Sequence, residues 1–400
     1  MRPDIDVAVC VVGAGPVGGT LACLLASAGV TTAIIDRADL PPMEHPDFDG
    51  RAYAVASGSR RVLEGAGLWD ALPFPAGAIS EIRVSDGKVG RPASPLFLHF
   101  AADEAGAGAF GWMVEARSLR MALNTRLHSL PGLHVIAPAV ATVTRHAEGA
   151  VVAIDGGPRI SCRLVVAAEG RNSPLRVAAG IAVTQIPYDQ TGIVCAVAHE
   201  RPHHGIALEH FLPAGPFAQL PMAPTEGAPN LSAIVWTERT SAADRILALD
   251  DPRFNAEIGR RLGSHLGAVR VLGRRWSYKL SAMHAHSYVS TRLALIGDAA
   301  HGVHPIAGQG LNLGFRDAAA LAEEVIGVAD PGDPALLRRY QARRRPDNLM
   351  MLAATDALDR LFSSDSRVLR AARDIGIATV NRVPPLKRLF MRQAMGALTG

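Results

Sequence analysis

The chain has 400 residues, 48% of them hydrophobic, enough to bury a large core as about two closely associated domains and not a repeat array. Its 41 basic side chains against 37 acidic ones leave a net charge of only +4, dispersed along the chain, which excludes nucleic acid as a partner. The four cysteines, Cys10, Cys23, Cys162 and Cys195, form no C-x-x-C pair, so reduced thiols and a cytoplasmic location are expected.

Residues 7 to 35 carry no charged side chain, a length that could suggest a membrane span. Gly13, Gly15, Pro16, Gly18 and Gly19 break that run, and Asp4 and Asp6 precede it where a signal peptide would be basic. The segment therefore reads as a strand over Val7–Val12, a helix over Val17–Ala28 stopped by Gly29, and a strand over Thr32–Ile35. Leu164–Ala168 and Leu293–Ile296 are further buried strands, each ending in a glycine-containing turn. Residues 180 to 280 are rich in short β-like stretches such as Gly192–Val197 and Leu231–Trp236 and resemble an inserted sheet. After Gly310 the pattern is helical, over Leu311–Val328 and Pro334–Phe362 and into the tail. No repeat or flexible linker appears, so two domains would be interleaved in sequence.

Three segments carry chemistry. In the first, Gly13-Ala14-Gly15-Pro16-Val17-Gly18 joins a strand to a helix, with Asp36 and Arg37 at the end of the next strand. Gly13 makes the tight turn, Gly15 admits a pyrophosphate to the backbone, and Gly18 lets helix and strand pack closely. The diphosphate would sit on unpaired N–H groups at the helix N-terminus. Asp36 would accept hydrogen bonds from the adenosine ribose and repel a 2′-phosphate, which favours FAD or NAD over NADP.

The second segment runs from Arg292 through Gly297-Asp298 to His301 and continues as Pro305-Ile306-Ala307-Gly308-Gln309-Gly310-Leu311-Asn312. It resembles the Gly-Asp motif of the flavin monooxygenases of the p-hydroxybenzoate hydroxylase type. The resemblance implies that Asp298 binds the flavin ribityl chain and that the loop from Pro305 to Gly310 borders the isoalloxazine ring. At the end of a buried strand a carboxylate must find partners, and ribityl hydroxyls suit it. Gly308, Gln309 and Gly310 would offer backbone N–H groups to negative charge on the reduced flavin, with no side-chain base.

The third segment, Val165 to Arg176, resembles the Asp-Gly fingerprint of the same enzymes, with Glu169-Gly170 where the family has aspartate and glycine. Arg176 and Arg51 are candidates to meet cofactor phosphate or else to be surface arginines, and Arg117 stands one residue beyond the family's usual contact position, which is Ala116 here.

Over nearly its whole length the chain is similar to one subgroup, the FAD hydroxylases of ubiquinone biosynthesis. Asp49-Gly50-Arg51-Ala52-Tyr53-Ala54, Gly67-Leu68-Trp69, Glu209-His210-Phe211, Gly215-Pro216, Leu220-Pro221, the long Gly297 to Asp317 block and Pro384-Pro385-Leu386-Lys387-Arg388 carry that likeness. It implies an α/β fold: a Rossmann-like FAD-binding domain of the glutathione-reductase-like type (1–75, 111–180 and 284–330), interleaved with a β-sheet substrate domain (76–110 and 181–283), then a C-terminal helical region (331–400). It also implies non-covalent FAD, NAD(P)H as transient reductant, O2, and hydroxylation of a polyprenylated phenol through a flavin C4a-hydroperoxide. Partners of the same kind would be proteins of a ubiquinone-biosynthesis complex. A flavin-binding scaffold of that complex, or a hydroxylase of another phenol, are the alternatives.

Phe211, Phe217, Leu220 and Pro221 are expected near the substrate ring, or else in plain core. His284 with His286 and His301 with His304 lack a supporting third ligand, so no metal is expected, and His301 and His304 would line or cap the flavin loop. From Arg367 to the end, Arg367, Arg370, Arg373, Arg382, Lys387, Arg388 and Arg392 face a single acid, Asp374. A helix over Leu386–Leu398 would be amphipathic, suited to peripheral contact with the inner face of a membrane or to packing on the FAD domain.

Overall fold

The computed structural model describes residues 4–41, 47–90, 97–106, 108–304, 308–362 and 395. The chain opens with β1 (Ile5–Val12), α1 (Pro16–Ser27), β2 (Thr32–Ile35), β3 (Ala52–Ala56), α2 (Ser57–Gly65), β4 (Gly77–Ile79), β5 (Glu81–Asp86), β6 (Phe97–Ala101), β7 (Gly111–Glu115) and α3 (Ala116–Ser129). It continues through β8 (Leu133–Ile136), β9 (Ala141–Arg145), β10 (Ala150–Ile154), β11 (Arg159–Ala167), α4 (Pro174–Ala178), β12 (Val183–His199), β13 (Ile206–Leu212), β14 (Gly215–Met222) and β15 (Leu231–Arg239). Then come α5 (Thr240–Leu247), α6 (Asp251–Leu262), β16 (Val269–Ala285), β17 (Val289–Ser290), β18 (Leu293–Leu295), β19 (His301–Gly302), α7 (Gln309–Val325) and α8 (Pro334–Phe362).

The first sheet is built on parallel strands in the order β18-β11-β1-β2-β8, with β17 at one edge and an antiparallel ribbon of β9 and β10 joined to β11. Central parallel strands are covered on both faces, so their residues are apolar without alternation. Val9, Cys10 and Val11 of β1 and Ala33, Ile34 and Ile35 of β2 are accordingly buried. Pro16 opens α1 at a position where a backbone N–H has no helical partner, and the helix packs against α3 and α7. Cys10, Cys23, Cys162 and Cys195 are all free and buried.

The second sheet has the order β19-β16-β12-β15-β14-β13-β5-β6 and is antiparallel except between β13 and β5. One face is covered by α5 and α6, whose Ala243, Phe254 and Ile258 pack with Ile193, Phe217 and Trp236. The opposite face carries Ala196, Ala207, Leu220, Met222 and Ala233 and packs against Ala52 and Ala54 of β3 and Met113 of β7. A three-stranded sheet, β3-β7-β4, thus links the two larger ones.

α7 starts two residues earlier than the pattern predicts, at Gln309, and ends at Val325, short of Gly327 with φ of +78°. No helix among the described residues is long and apolar enough to cross a membrane. The expected helix over 386–398 lies outside the described residues except at Met395. There the chain forms a turn, the side chain is buried with Ile79, Phe110 and Met113, and the carbonyl accepts from Gly58 N–H at 2.9 Å.

Candidate cofactor site

The glycine turn between β1 and α1 is shaped by close approaches. Gly13 has φ of +105°, and a Cβ on it would lie 2.4 Å from the Ala168 carbonyl oxygen; one on Gly18 would lie 2.0 Å from the Gly13 carbonyl oxygen. Neither position tolerates a side chain. Gly15 differs, because a Cβ there would meet nothing within 4 Å. It faces open space at the N-terminus of α1, a helix with no side-chain cap and no acidic residue in its first turn. The positive end of that helix is left for a ligand anion. Asp36 bridges the turn from the end of β2: Ala14 N–H donates to Oδ2 at 2.6 Å and Ala38 N–H to Oδ1 at 2.8 Å. Its partial exposure leaves acceptor capacity for a ligand, while Arg37 is exposed.

The second segment meets the first through Val17. A Cβ on Gly297 would be 3.3 Å from Val17 Cγ1, and one on Gly314 would be 2.5 Å from Val17 Cγ2, so α1 lies flush against the Gly-Asp turn and α7. Asp298 sits in a short 3-10 turn over Gly297–Ala299 with its side chain 52% exposed, the nearest charge being Arg171 at 3.9 Å. The strand before it is buried as expected, but the carboxylate is not.

Behind this turn lies a network absent from the sequence reading. The buried Asp317 carboxylate accepts from Gly297 N–H at 3.0 Å, Arg344 Nε at 2.8 Å and Asn348 Nδ2 at 3.1 Å, and lies 2.5 Å from His301 Nε2. Burial alone would raise its pKa, but His301 and Arg344 outweigh that and hold it at about 2. His301 thus supports the Gly-Asp turn through Asp317. His304 is likewise buried, bonded to Gln190 at 3.0 Å and 3.7 Å from Asp359. The His284 ring is 5.4 Å from that of Tyr288, and burial brings its pKa down to about 4. No group of potential metal ligands occurs among the described residues.

Several of the candidate residues have partners within the protein. Arg176 is buried and donates from Nη1 to the Ala299 carbonyl at 2.9 Å, behind the Gly-Asp turn. Glu169 accepts from Ser173 Oγ at 2.6 Å and from Leu175 N–H at 3.3 Å, organising the start of α4, and burial raises its pKa despite these donors. Gly170, with φ of +85°, turns the chain between them. Arg51 pairs with Asp49 at 2.7 Å and lies 4.3 Å from the Trp276 ring centroid; Arg117 pairs with Glu115 at 2.6 Å and lies over Phe74.

Pro305 lies outside the described residues. Gly308, with φ of +62°, is the N-cap of α7, and a Cβ on it would come 3.1 Å from Ala54 Cβ. Gln309 is buried, and Gly310 and Leu311 follow in the first turn of the helix. Asn312 is committed to the fold: Ala56 N–H donates to its Oδ1 at 2.8 Å, and its Nδ2 donates to the carbonyls of Ala54 and Gly308 at 2.9 and 3.0 Å. It thereby fixes β3 beside the loop.

The four residues expected near a substrate ring divide between two faces. On β14, Phe217 and Pro221 share the face of Trp236, Ile234 and Ser232 toward the outer helices, with Phe217 wholly buried there, while Leu220 lies on the inner face. On β13, Phe211 is on the inner face, packed with Val84, Leu98 and Leu361. Between Ala207 and Phe211 on that face stands Glu209, whose pKa burial pushes up to about 7.

The sequence matches the family described as FAD binding domain over residues 6–83 and 136–354. This chain is a member of that family. It is 51% identical over 395 residues to a Rhodospirillum rubrum protein named ubiquinone hydroxylase UbiL, covering 98% of this chain and 90% of that one. It is 32% identical to 3-demethoxyubiquinol 3-hydroxylase of Escherichia coli, over 97% of this chain and 98% of the other. Among solved structures, p-nitrophenol 4-monooxygenase PnpA from Pseudomonas putida superposes with a TM-score of 0.78 over 99% of both chains at 19% identity, sharing the fold. The residues present fit FAD. Its family membership names the cofactor, and the open approach at Gly15, the uncapped positive end of α1 and the exposed Asp298 carboxylate offer the donors and acceptor it needs.

Proposed function

We propose that this protein hydroxylates the aromatic ring of a polyprenylated phenol on the route to ubiquinone, consuming NAD(P)H and O2 and releasing water. The observation that carries this reading is the 51% identity to UbiL over 98% of the chain, which spans both large sheets and so includes cofactor and substrate sides together. Bound FAD supplies the redox chemistry that activates O2 at the expense of NAD(P)H. The protein's own part is to bind, orient and shield.

In this reading the N–H groups at the start of α1 take the diphosphate, Asp36 accepts from the adenosine ribose, and Asp298 accepts from the ribityl hydroxyls. Backbone N–H groups at Gly308, Gln309 and Gly310, at the positive end of α7, oppose negative charge on the reduced ring. The inner face of the second sheet, with Phe211 and Leu220, covers the reacting ring and keeps water out. Segments 1–75, 111–180 and 284–330 form the FAD-binding domain and 76–110 and 181–283 the substrate domain, with 331–400 as a C-terminal helical region. The basic tail from Arg367 serves a peripheral contact with an anionic leaflet, where a prenylated phenol dissolves.

The test is to purify the protein, release its flavin by denaturation and follow NAD(P)H oxidation and O2 uptake with and without 2-prenylphenol. FAD in the supernatant and substrate-stimulated consumption of both reagents are expected. FMN or no flavin sinks the cofactor assignment; FAD without any turnover makes the chain a scaffold. Asp298→Ala should empty the site in a chain that still folds.

A further inference from the structure

We propose that Glu209 is the proton acceptor for the substrate's phenolic hydroxyl, placed by β13 in the wall that faces the cofactor loop. This deepens the hydroxylase reading and rests on it. Along β13, Ala207, Glu209 and Phe211 point to the same face of the second sheet, opposite Leu220, Ala218 and Pro216 of β14. Across the strand on the other side stands Val84 of β5, which packs both with the cluster that holds Ala54 and with the one that holds Phe211 and Leu361. Ala54 is the residue Gly308 approaches. A carboxylate has thus been set into an apolar wall that runs to the first turn of α7.

Glu209 makes no hydrogen bond or ion pair to any described residue, and the residue as a whole keeps part of its surface exposed. An anion held in apolar surroundings without a cation or donor is costly to the fold, and such groups cluster where chemistry needs them. Among the described residues of the two strands beside it, Asp86 of β5, next to Phe211, is the titratable group on this face, and β14 has none. Among the described residues no charged group is seen to act on the carboxylate, and burial is the cause of its raised pKa.

The consequence for a phenol follows from proton affinities. A phenol ionises near 10, so giving its proton to an ordinary glutamate is uphill by about 6 pH units. With Glu209 at about 7 the gap is roughly 3. In the step, the phenol O–H bond breaks, an O–H bond forms on the Glu209 carboxylate, and the negative charge passes to the ring oxygen. That charge enriches the ortho and para carbons, which then receive the electrophilic oxygen.

The experiment compares wild type and Glu209→Gln, each loaded with FAD, in two ways: binding of 2-prenylphenol and its O-methyl ether across pH 5 to 9, read from the flavin absorbance, and coupled product formation across the same range. Gln keeps the shape and removes the charge; FAD content and melting temperature report that the variant has folded. Wild type should prefer the phenol over the ether increasingly as pH rises through about 7, with product formation following the same curve. Glu209→Gln should lose that preference and its pH dependence, with kcat down by roughly a hundredfold or more, the usual contribution of a general base, and KM little changed. A folded Glu209→Gln enzyme with the wild-type pH profile and kcat within threefold overturns the proposal and leaves the hydroxylase reading standing. If wild type neither binds nor oxidises the phenol, the hydroxylase reading itself falls, and the assignment of Glu209 with it.

Discussion

Asp317 offers the sharpest test of how the site is held. Its carboxylate gathers Gly297 N–H, His301, Arg344 and Asn348 in a region where its own side chain and that of His301 are wholly buried and that of Arg344 is 1% exposed. Asp317→Ala would leave Arg344 with only Asp347 as an ionic partner and Gly297 N–H without its acceptor. Removing one partner of a buried pair costs about 3–5 kcal/mol, because the remaining charge stays desolvated. Unfolding entropy scales at roughly 2.1 cal/mol/K per residue, about 0.8 kcal/mol/K for this length, so the melting temperature should fall by about 4–6 °C. The pH dependence provides an independent check. Asp317 is held at about 2 against an ordinary 3.8, so its contribution is fully present above pH 4 and is lost as pH falls through 2. The difference of nearly two units corresponds to about 2 kcal/mol at neutral pH. Thermal melts of wild type and Asp317→Asn from pH 7 down to pH 2.5 should therefore converge toward the acid end. Because Asp317 acts on the Gly297 turn, both variants should also retain less FAD. A melting temperature within 1 °C of wild type for Asp317→Ala, with full FAD content, would refute the account of a buried anchor behind the Gly-Asp turn.

Two glycines of the first turn separate ligand space from fold space. Gly15→Ala, whose Cβ meets no protein atom, should melt like the unliganded wild type yet bind FAD poorly, as measured by flavin fluorescence titration; unchanged affinity would mean that no phosphate approaches there. Gly18→Ala, with its Cβ 2.0 Å from a backbone carbonyl, should lose stability even without cofactor. Asp36→Ala removes one charged acceptor worth roughly 1.5–3 kcal/mol and the tie to Ala14 N–H, so FAD affinity should drop about ten- to a hundredfold in equilibrium dialysis.

What the sequence by itself determined is what short-range physics encodes. A run of valines, a glycine spacing and a helical period lie within one window, so β1, α1 and β2 were legible nearly to the residue, as were β18 and α8. So was the family, because the glycine turn and the Gly-Asp turn are each written in a short run of neighbouring residues. The partners of side chains were decided elsewhere. Val17 is clasped by Gly297 and Gly314, and Arg176 spends its charge on Ala299, because crossover connections bring segments more than a hundred residues apart into one layer. Asp317 looked like one more polar residue of a helix face; only the packing of α7 against α8 delivered Arg344 and Asn348 to it. The second sheet shows the limit most clearly. β14 is apolar on both faces because helices cover one and the FAD-binding region the other, so alternation cannot tell Phe217, turned outward, from Leu220, turned inward. The same register puts Glu209 on the inner wall, and nothing in a two-residue period says which wall that is until the sheet is folded against its neighbour.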